Sequence, residues 1–348
     1  MSFLIYLSVY IFNVFFLIIS AILNNRRLTL LLFVVMATTI ILISGLRIAG
    51  GTDLPAYLSI FDEVVPFSFD TYSGQYMYWS PGFRFVLSIL KLVSDSHVFY
   101  LFSVSLLIHL LFYVSIKKIK GDYYLAYSIF VLFFFISYSL NAVAQFIVML
   151  FFFFLLREIY QKKWGTIFSA SLLLSYFHPS GALIILAYIF ARLNLTLINF
   201  LIVLIVCIFL SITGITNIFA VSFLNIEQYI FLESYFTSTI GLEDITQRVI
   251  LLILCIFCQH KYLNSRFDKM TLNIYLFSFI IFILFSSAPV LATRLNIFFK
   301  ILEIVILSRA FAATKNVGAR FSLASVVLLI YTPNFYIAAN NSNNILEY

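Results

Sequence analysis

Charge is what this sequence has least of. Only 10% of the 348 residues are charged while 63% are hydrophobic, which excludes a soluble globular domain. Cysteine is nearly absent too. Cys207, Cys255 and Cys258 all lie inside apolar runs, and the lone Cys255-x-x-Cys258 has no second pair. Packed membrane thiols are therefore expected there, not zinc or redox chemistry. No internal repeat or low-complexity linker is visible, and the first apolar run, Phe3 to Leu23, has neither a basic stretch before it nor a small-residue cleavage site after it. It reads as a retained span, not a signal peptide.

What is present is apolar sequence from end to end, with a mean hydropathy of +1.08. Runs of a length that can cross a bilayer recur along the chain, so the expected fold is an all-α polytopic integral membrane protein, residues 1–348 forming a single membrane domain. Crossings are expected at about 3–23, 28–46, 97–116, 122–140, 141–160, 165–177, 180–192, 195–213, 248–262, 270–287, 290–308 and 320–338, about twelve in all. Pro81 to Val93 reads as a short re-entrant or interfacial helix. The pI near 9.2 does not point to nucleic acid, because the basic residues sit in short loops between apolar runs.

With the amino terminus outside, Arg26, Arg27, Lys117, Lys118, Lys120, Arg157, Lys162, Lys163, Arg192, Lys261, Arg266, Lys269, Arg309, Lys315 and Arg320 all fall in cytoplasmic loops. The weak stretch is 165–192, two passes of only about 20 Å each. Basic residues at both its ends demand an even number of passes, which a broken hairpin with His178-Pro179 at its outer tip supplies. Two outer segments, about 47–80 and 214–247, are long enough to form structure. The first carries Tyr57, Tyr72, Tyr76, Tyr78 and Trp79, the second Tyr229, Phe231, Tyr235 and Phe236. Aromatics at a membrane surface serve as interface anchors; they are also what packs on the apolar faces of sugar rings.

Arg47, Arg84, Lys91, Arg248, Arg294 and Lys300 are left over by this topology. Outer arginines oppose the positive-inside preference and either pair with carboxylates such as Asp53, Asp62, Glu63, Glu243 or Asp244, or hold an anion. Guanidinium suits phosphate because it offers a forked, permanently charged donor. Lys300 and Glu303, three residues apart on one helical face, read as a structural ion pair. His178, beside Pro179 and Gly181, sits where a broken helix opens backbone to a cavity; it is either a packing residue or a group that takes a proton or contacts phosphate.

Three motifs carry a resemblance: Arg47-x-x-x-Gly51-Thr52-Asp53-x-x-x-Tyr57, Phe177-His178-x-Ser180, and Arg294-Leu295. In this order they resemble the bacterial O-antigen and exopolysaccharide polymerases of the Wzy kind, particularly the EpsG-like branch. One departure stands out: where that family often has Asn-x-x-Arg-Gln, this chain reads Asn141-Ala142-Val143-Ala144-Gln145, so Gln145 offers only neutral hydrogen bonds.

The resemblance implies transfer of an oligosaccharide repeat unit from undecaprenyl pyrophosphate onto another lipid-linked unit. It places this at the periplasmic face of a bacterial inner membrane, without metal or other cofactor, and leaves room for a chain-length regulator on the outer loops. On that reading Arg47, Arg294 and Arg248 take the pyrophosphate, with Arg84 as a further cation. Asp53 or His178 is the base, and Tyr57, Gln145, Tyr78 and Trp79 orient glycan. Asp53 has a competing role as anchor for Arg47 or for backbone N–H groups in the glycine turn. Two other classes are open. A metal-dependent glycosyltransferase of the GT-C type would stop in EDTA; a lipid-linked oligosaccharide flippase would move its cargo in vesicles.

Overall fold

The computed structural model describes residues 2–48, 50–67, 80–193, 195–213, 241–341 and 346. Among them every regular element is helical. In chain order these are α1 (Ser2–Leu23), α2 (Arg26–Leu46), α3 (Leu54–Glu63), α4 (Pro81–Lys91), α5 (His97–Ile119) and α6 (Tyr123–Ile129), which runs on as a π-helix, Phe130–Ser139. Next come α7 (Val143–Tyr160), α8 (Trp164–Phe177), a 3-10 turn (Pro179–Ala182), α9 (Leu183–Phe190) and α10 (Leu197–Ile212). The remainder are α11 (Leu242–Tyr262), α12 (Arg266–Leu284), α13 (Pro289–Lys300), α14 (Leu302–Ala313) and α15 (Val317–Asn340).

Polar caps set where several of these helices start. The Asn25 side chain accepts from the N–H groups of Arg27 and Leu28, Asp122 from those of Tyr124 and Leu125, and Asn316 from that of Ala319. Ser265 and Asp268 form a reciprocal capping box at the head of α12.

Every segment expected to be apolar and helical is helical, but 290–308 is two helices broken at Ile301, α13 and α14. Among the described residues six helices, α1, α2, α5, α7, α12 and α15, are long and apolar enough to cross a membrane. Tyr123–Ser139, Trp164–Phe177, Pro179–Phe190 and Leu197–Ile212 are apolar but shorter. Length and composition thus support six crossings among the described residues, and the expected count of about twelve is not confirmed. The outward faces of the long helices carry Ile11, Phe15, Leu31, Leu42, Leu110 and Leu329, all exposed. Such continuous apolar surface belongs in lipid, and the chain is a membrane protein.

The chain divides into two compact units, residues 1–184 with 307–348, and residues 185–306. In the first, α2 packs on α5, α5 on α7, α7 and α4 on α8, and α1 and the π-helix on α15. In the second, α12 packs against α10, α11 and α13.

The first unit is tied by Arg320, which is only 1% exposed although its position beside a short loop looked like an ordinary topology charge. Its guanidinium donates to the carbonyls of Ser20, Ala21 and Phe311 at 2.8 to 3.2 Å, lies 3.9 Å from Asp122 Oδ2, and covers the Phe311 ring. One side chain thus joins the ends of α1, α14 and α15 to the cap of α6. Arg320→Ala leaves the buried Asp122 carboxylate and three carbonyls without their donor, and is expected to destabilise the protein by about 3 kcal/mol or more. A fall of several degrees in the unfolding temperature of the detergent-solubilised variant checks this.

Candidate functional site

The distinctive feature of the first unit is an interruption of the helical ladder between the π-helix and α7. π-Helical hydrogen bonding is rare and concentrates at functional positions. Here it ends as Asn141 folds its side-chain amide back onto the Ile136 carbonyl at 2.9 Å, leaving Leu140 to Ala142 outside both helices.

Arg47, Gly51, Thr52 and Tyr57 dock on this break. Arg47 caps the carboxyl end of α2, is 4% exposed, and donates through Nη2 to the Leu140 carbonyl at 3.1 Å. Gly51 has a φ of +106°, in the region L side chains avoid, and a Cβ there would stand 2.6 Å from Asn141 Oδ1 and 3.1 Å from the Leu140 carbonyl. Glycine is required at this position by both conformation and space. Thr52 Oγ1 lies 3.3 Å from Asn141 Oδ1 and 3.1 Å from Asp53 Oδ1. Asp53 is half-buried at the head of α3, yet its side chain does not cap the helix, and no ion pair joins it to Arg47 among the described residues.

Tyr57, one turn into α3, is buried with its hydroxyl against the backbone N–H groups of Ala144 and Val143 at the amino end of α7. Burial pushes its phenol above the usual tyrosine range. The two N–H groups pull the other way, and the Asp53 charge adds to the upward shift. Tyr57 is therefore a neutral hydrogen-bonding group. Its ring meets Phe83 of α4 edge-on at 5.4 Å, which brings Arg84, 4% exposed, into the same neighbourhood. At Gly82 a Cβ would stand 2.9 Å from Phe177 and 3.0 Å from Tyr176, so α4 also abuts the end of α8, where His178 follows. Gln145 is buried in the first turn of α7.

His178 is half-buried between α8 and the 3-10 turn. Its Nδ1 accepts the N–H of Ser180 at 3.2 Å and lies 2.8 Å from Ser180 Oγ. A backbone N–H can only donate, so Nδ1 is the unprotonated nitrogen and the neutral ring carries its proton on Nε2. The hairpin closes because Gly181 lies where a Cβ would collide with the Ser175 backbone N at 2.4 Å, and Ser171 Oγ donates to the Gly181 carbonyl at 2.8 Å.

Arg47, Asp53, Tyr57 and Gln145 are thus held beside the Leu140 break, and Arg84 and His178 lie on neighbouring elements of the same unit, α4 and the turn after α8. Beneath Arg47 is a small cavity lined by Ser44, Tyr57, Tyr100, Ser105 and Ser139. Tyr100, stacked on Phe61 at 4.9 Å, and Asn141 were not among the expected site residues. Tyr100 lies inside an apolar helical run that gives no signal. Asn141, a polar residue ending such a run, does give one. Asp62, weighed as an arginine partner, is instead 2.6 Å from His97 Nε2, and its carbonyl accepts from Lys91.

In the second unit Arg248 is held by structure. Its guanidinium donates to Asn296 Oδ1 and lies over the Phe282 ring at 3.9 Å, while Asn296 donates to the Ser278 carbonyl. Arg294, two residues before Asn296 on α13, is exposed. Lys300 and Glu303 are both buried, and the Tyr275 hydroxyl donates to Glu303 at 2.9 Å. Tyr78 and Trp79, most of the 214–247 segment, and the side chains of Glu243 and Asp244 lie outside the described residues.

Residues 30–348 match the model of the EpsG family. No curated protein and no solved structure matches the chain.

Proposed function

From the premise that the chain belongs to the EpsG family, we propose that it is a glycan polymerase. It transfers oligosaccharide repeat units from undecaprenyl pyrophosphate onto another lipid-linked unit at the outer face of a bacterial inner membrane. The observation that carries this reading is the docking of Arg47, Asp53 and Tyr57 on the Leu140 break, which gathers an anion-binding group, a carboxylate and a neutral donor into one unit.

In the proposed reaction a sugar hydroxyl of the acceptor attacks the anomeric carbon of the donor, and the bond from that carbon to the pyrophosphate oxygen breaks. Charge develops on the leaving pyrophosphate, and fixed guanidinium donors stabilise it as it forms. Arg47 is assigned that role, with its orientation held by the Leu140 carbonyl; Arg84 is a second cation of the same unit. The hydroxyl proton goes to Asp53. His178, with Nδ1 engaged, donates from Nε2 to substrate oxygen instead of acting as base. Tyr57 and Gln145 give neutral hydrogen bonds to glycan, as do Tyr78 and Trp79 through their rings. The role given to Arg294 in the second unit rests on the Arg294-Leu295 resemblance alone, and Arg248 serves mainly to brace α13. A chain-length regulator on the outer loops remains part of this proposal.

Deletion of the coding sequence followed by gel analysis of surface glycan tests it. The expected pattern is loss of long chains with single-repeat material retained. Loss of all exported glycan would instead assign the protein to flipping, and activity abolished by EDTA would assign it to metal-dependent transfer.

A further inference from the structure

Two hydroxyls beside Arg47 depart from a pattern kept elsewhere on the same two helices. On α2, Thr39 Oγ1 donates to the Val35 carbonyl at 3.0 Å, and on α5, Ser115 Oγ donates to the Leu111 carbonyl at 2.7 Å, each four residues back on its own helix. Ser44 on α2 and Ser105 on α5 do not. Both Oγ atoms are buried, and among the described residues neither has a hydrogen-bond partner. Buried hydroxyls are nearly always bonded, to protein or to ordered water, so each of these calls for a partner.

Both hydroxyls belong to the lining of one cavity, the one beneath Arg47. At this level α2 and α5 approach closely: a Cβ on Gly45 would stand 2.5 Å from the Phe102 ring, and Ser44 precedes Gly45 while Ser105 lies one turn beyond Phe102. The turn that carries Ser105 is held by His109, whose Nδ1 donates to the Ser105 carbonyl at 2.7 Å. The space open within the cavity is about 10 Å³, room for one water molecule. Arg47, Tyr100 and Ser139 add polar groups to the lining, which makes the site polar as well as small.

We infer that this cavity holds one ordered water molecule, bound by Ser44 and Ser105, which gives the Arg47 guanidinium a second support besides the Leu140 carbonyl. A buried water makes about three hydrogen bonds. The two hydroxyls supply two of them, and the guanidinium, with five N–H donors, supplies the third. Both supports are neutral, so they orient the guanidinium without cancelling the charge that an anion would meet. Ser44 and Ser105 are therefore positioning residues for Arg47. Their part in glycan transfer rests on the polymerase reading; the water site does not.

The test uses the full chain in nanodiscs, imaged by electron cryo-microscopy at a resolution that shows ordered water. In the wild type a peak is expected within hydrogen-bond distance of Ser44 Oγ and Ser105 Oγ, and none in the Ser44→Ala, Ser105→Ala double variant. A wild-type cavity without a peak, its hydroxyls turned back onto the Ile40 and Leu101 carbonyls, overturns the site, as does a peak that stays in the double variant. A peak that strengthens when bromide replaces chloride makes the occupant an anion and overturns the water. Turnover of lipid-linked repeat units reads the positioning role. The double variant is expected to be slower by about tenfold, and to cost nothing further when added to Arg47→Gln, because the serines act through the guanidinium. Full turnover by the double variant, or a loss that multiplies with that of Arg47→Gln, overturns the positioning role. A wild-type protein without transfer activity overturns the polymerase reading, while the density still decides the water site.

Discussion

Arg47→Gln is expected to reduce long-chain glycan by about 10²- to 10³-fold while single-repeat material accumulates, the effect of removing one fixed donor from a developing oxyanion. Glutamine still reaches toward the Leu140 carbonyl with an N–H donor, so the contact that seats the loop on the helix break is partly preserved while the positive charge is lost. Arg47→Lys separates charge from geometry. A lysine keeps the cation but gives up the planar fork, and at a site that needs two phosphate oxygens held at once it is expected to recover only part of the activity. Equal amounts of each variant in the membrane fraction establish that chemistry, not folding, is being read. Full polymerisation by Arg47→Gln at normal protein level would remove Arg47 from the site.

The legibility of this protein in its sequence follows from which physical signals are local. Helices were legible almost everywhere because long apolar runs and capping residues are local signals, and Asn25, Asp122, Ser265 and Asn316 open helices where the runs begin. The number of crossings was not, because apolar runs of Tyr123–Ser139 or Leu197–Ile212 are compatible with either a crossing or a shorter buried segment. The break of 290–308 at Ile301 has no proline or glycine to announce it. α3 was also missed, although Pro55 lies in its first turn, a position proline favours.

At the candidate site the same division holds. Arg47, Asp53 and Tyr57 stood out because they interrupt apolar sequence, and the structure places them together. Their partner surface, the break between the π-helix and α7 with the first residues of α7, Leu140 to Ala144, depends on a hydrogen-bond register that no residue spacing encodes. The alanine at Ala144, which marked a departure from the family pattern, acquires a local role: its backbone N–H meets the Tyr57 hydroxyl. Arg320 is the converse case. Its place beside a short basic loop concealed a buried clasp, since burial arises from the approach of α1, 299 residues away along the chain at the Ala21 carbonyl.

Asp53→Asn is expected to lower turnover by about 10²- to 10⁴-fold with little change in binding of undecaprenyl pyrophosphate, the signature of a lost general base. The substitution is nearly isosteric, and an amide oxygen can still accept from Thr52 Oγ1, so the local geometry has little reason to change. The competing role, an anchor for Arg47 or for backbone N–H groups in the glycine turn, predicts a different pattern. An anchor acts through position, so its loss would weaken binding along with turnover, and a polar isostere would keep appreciable activity. The structure bears on this choice in two places. The Asp53 side chain makes no capping bond to α3 and accepts from Thr52 Oγ1. His178, the other candidate base, accepts the Ser180 N–H at Nδ1, the tautomer that carries its proton on Nε2. Single-turnover measurements with lipid-linked repeat units separate the two roles: unchanged binding with slow transfer establishes the base, whereas weakened binding with transfer at the wild-type rate once saturated returns Asp53 to an anchoring role.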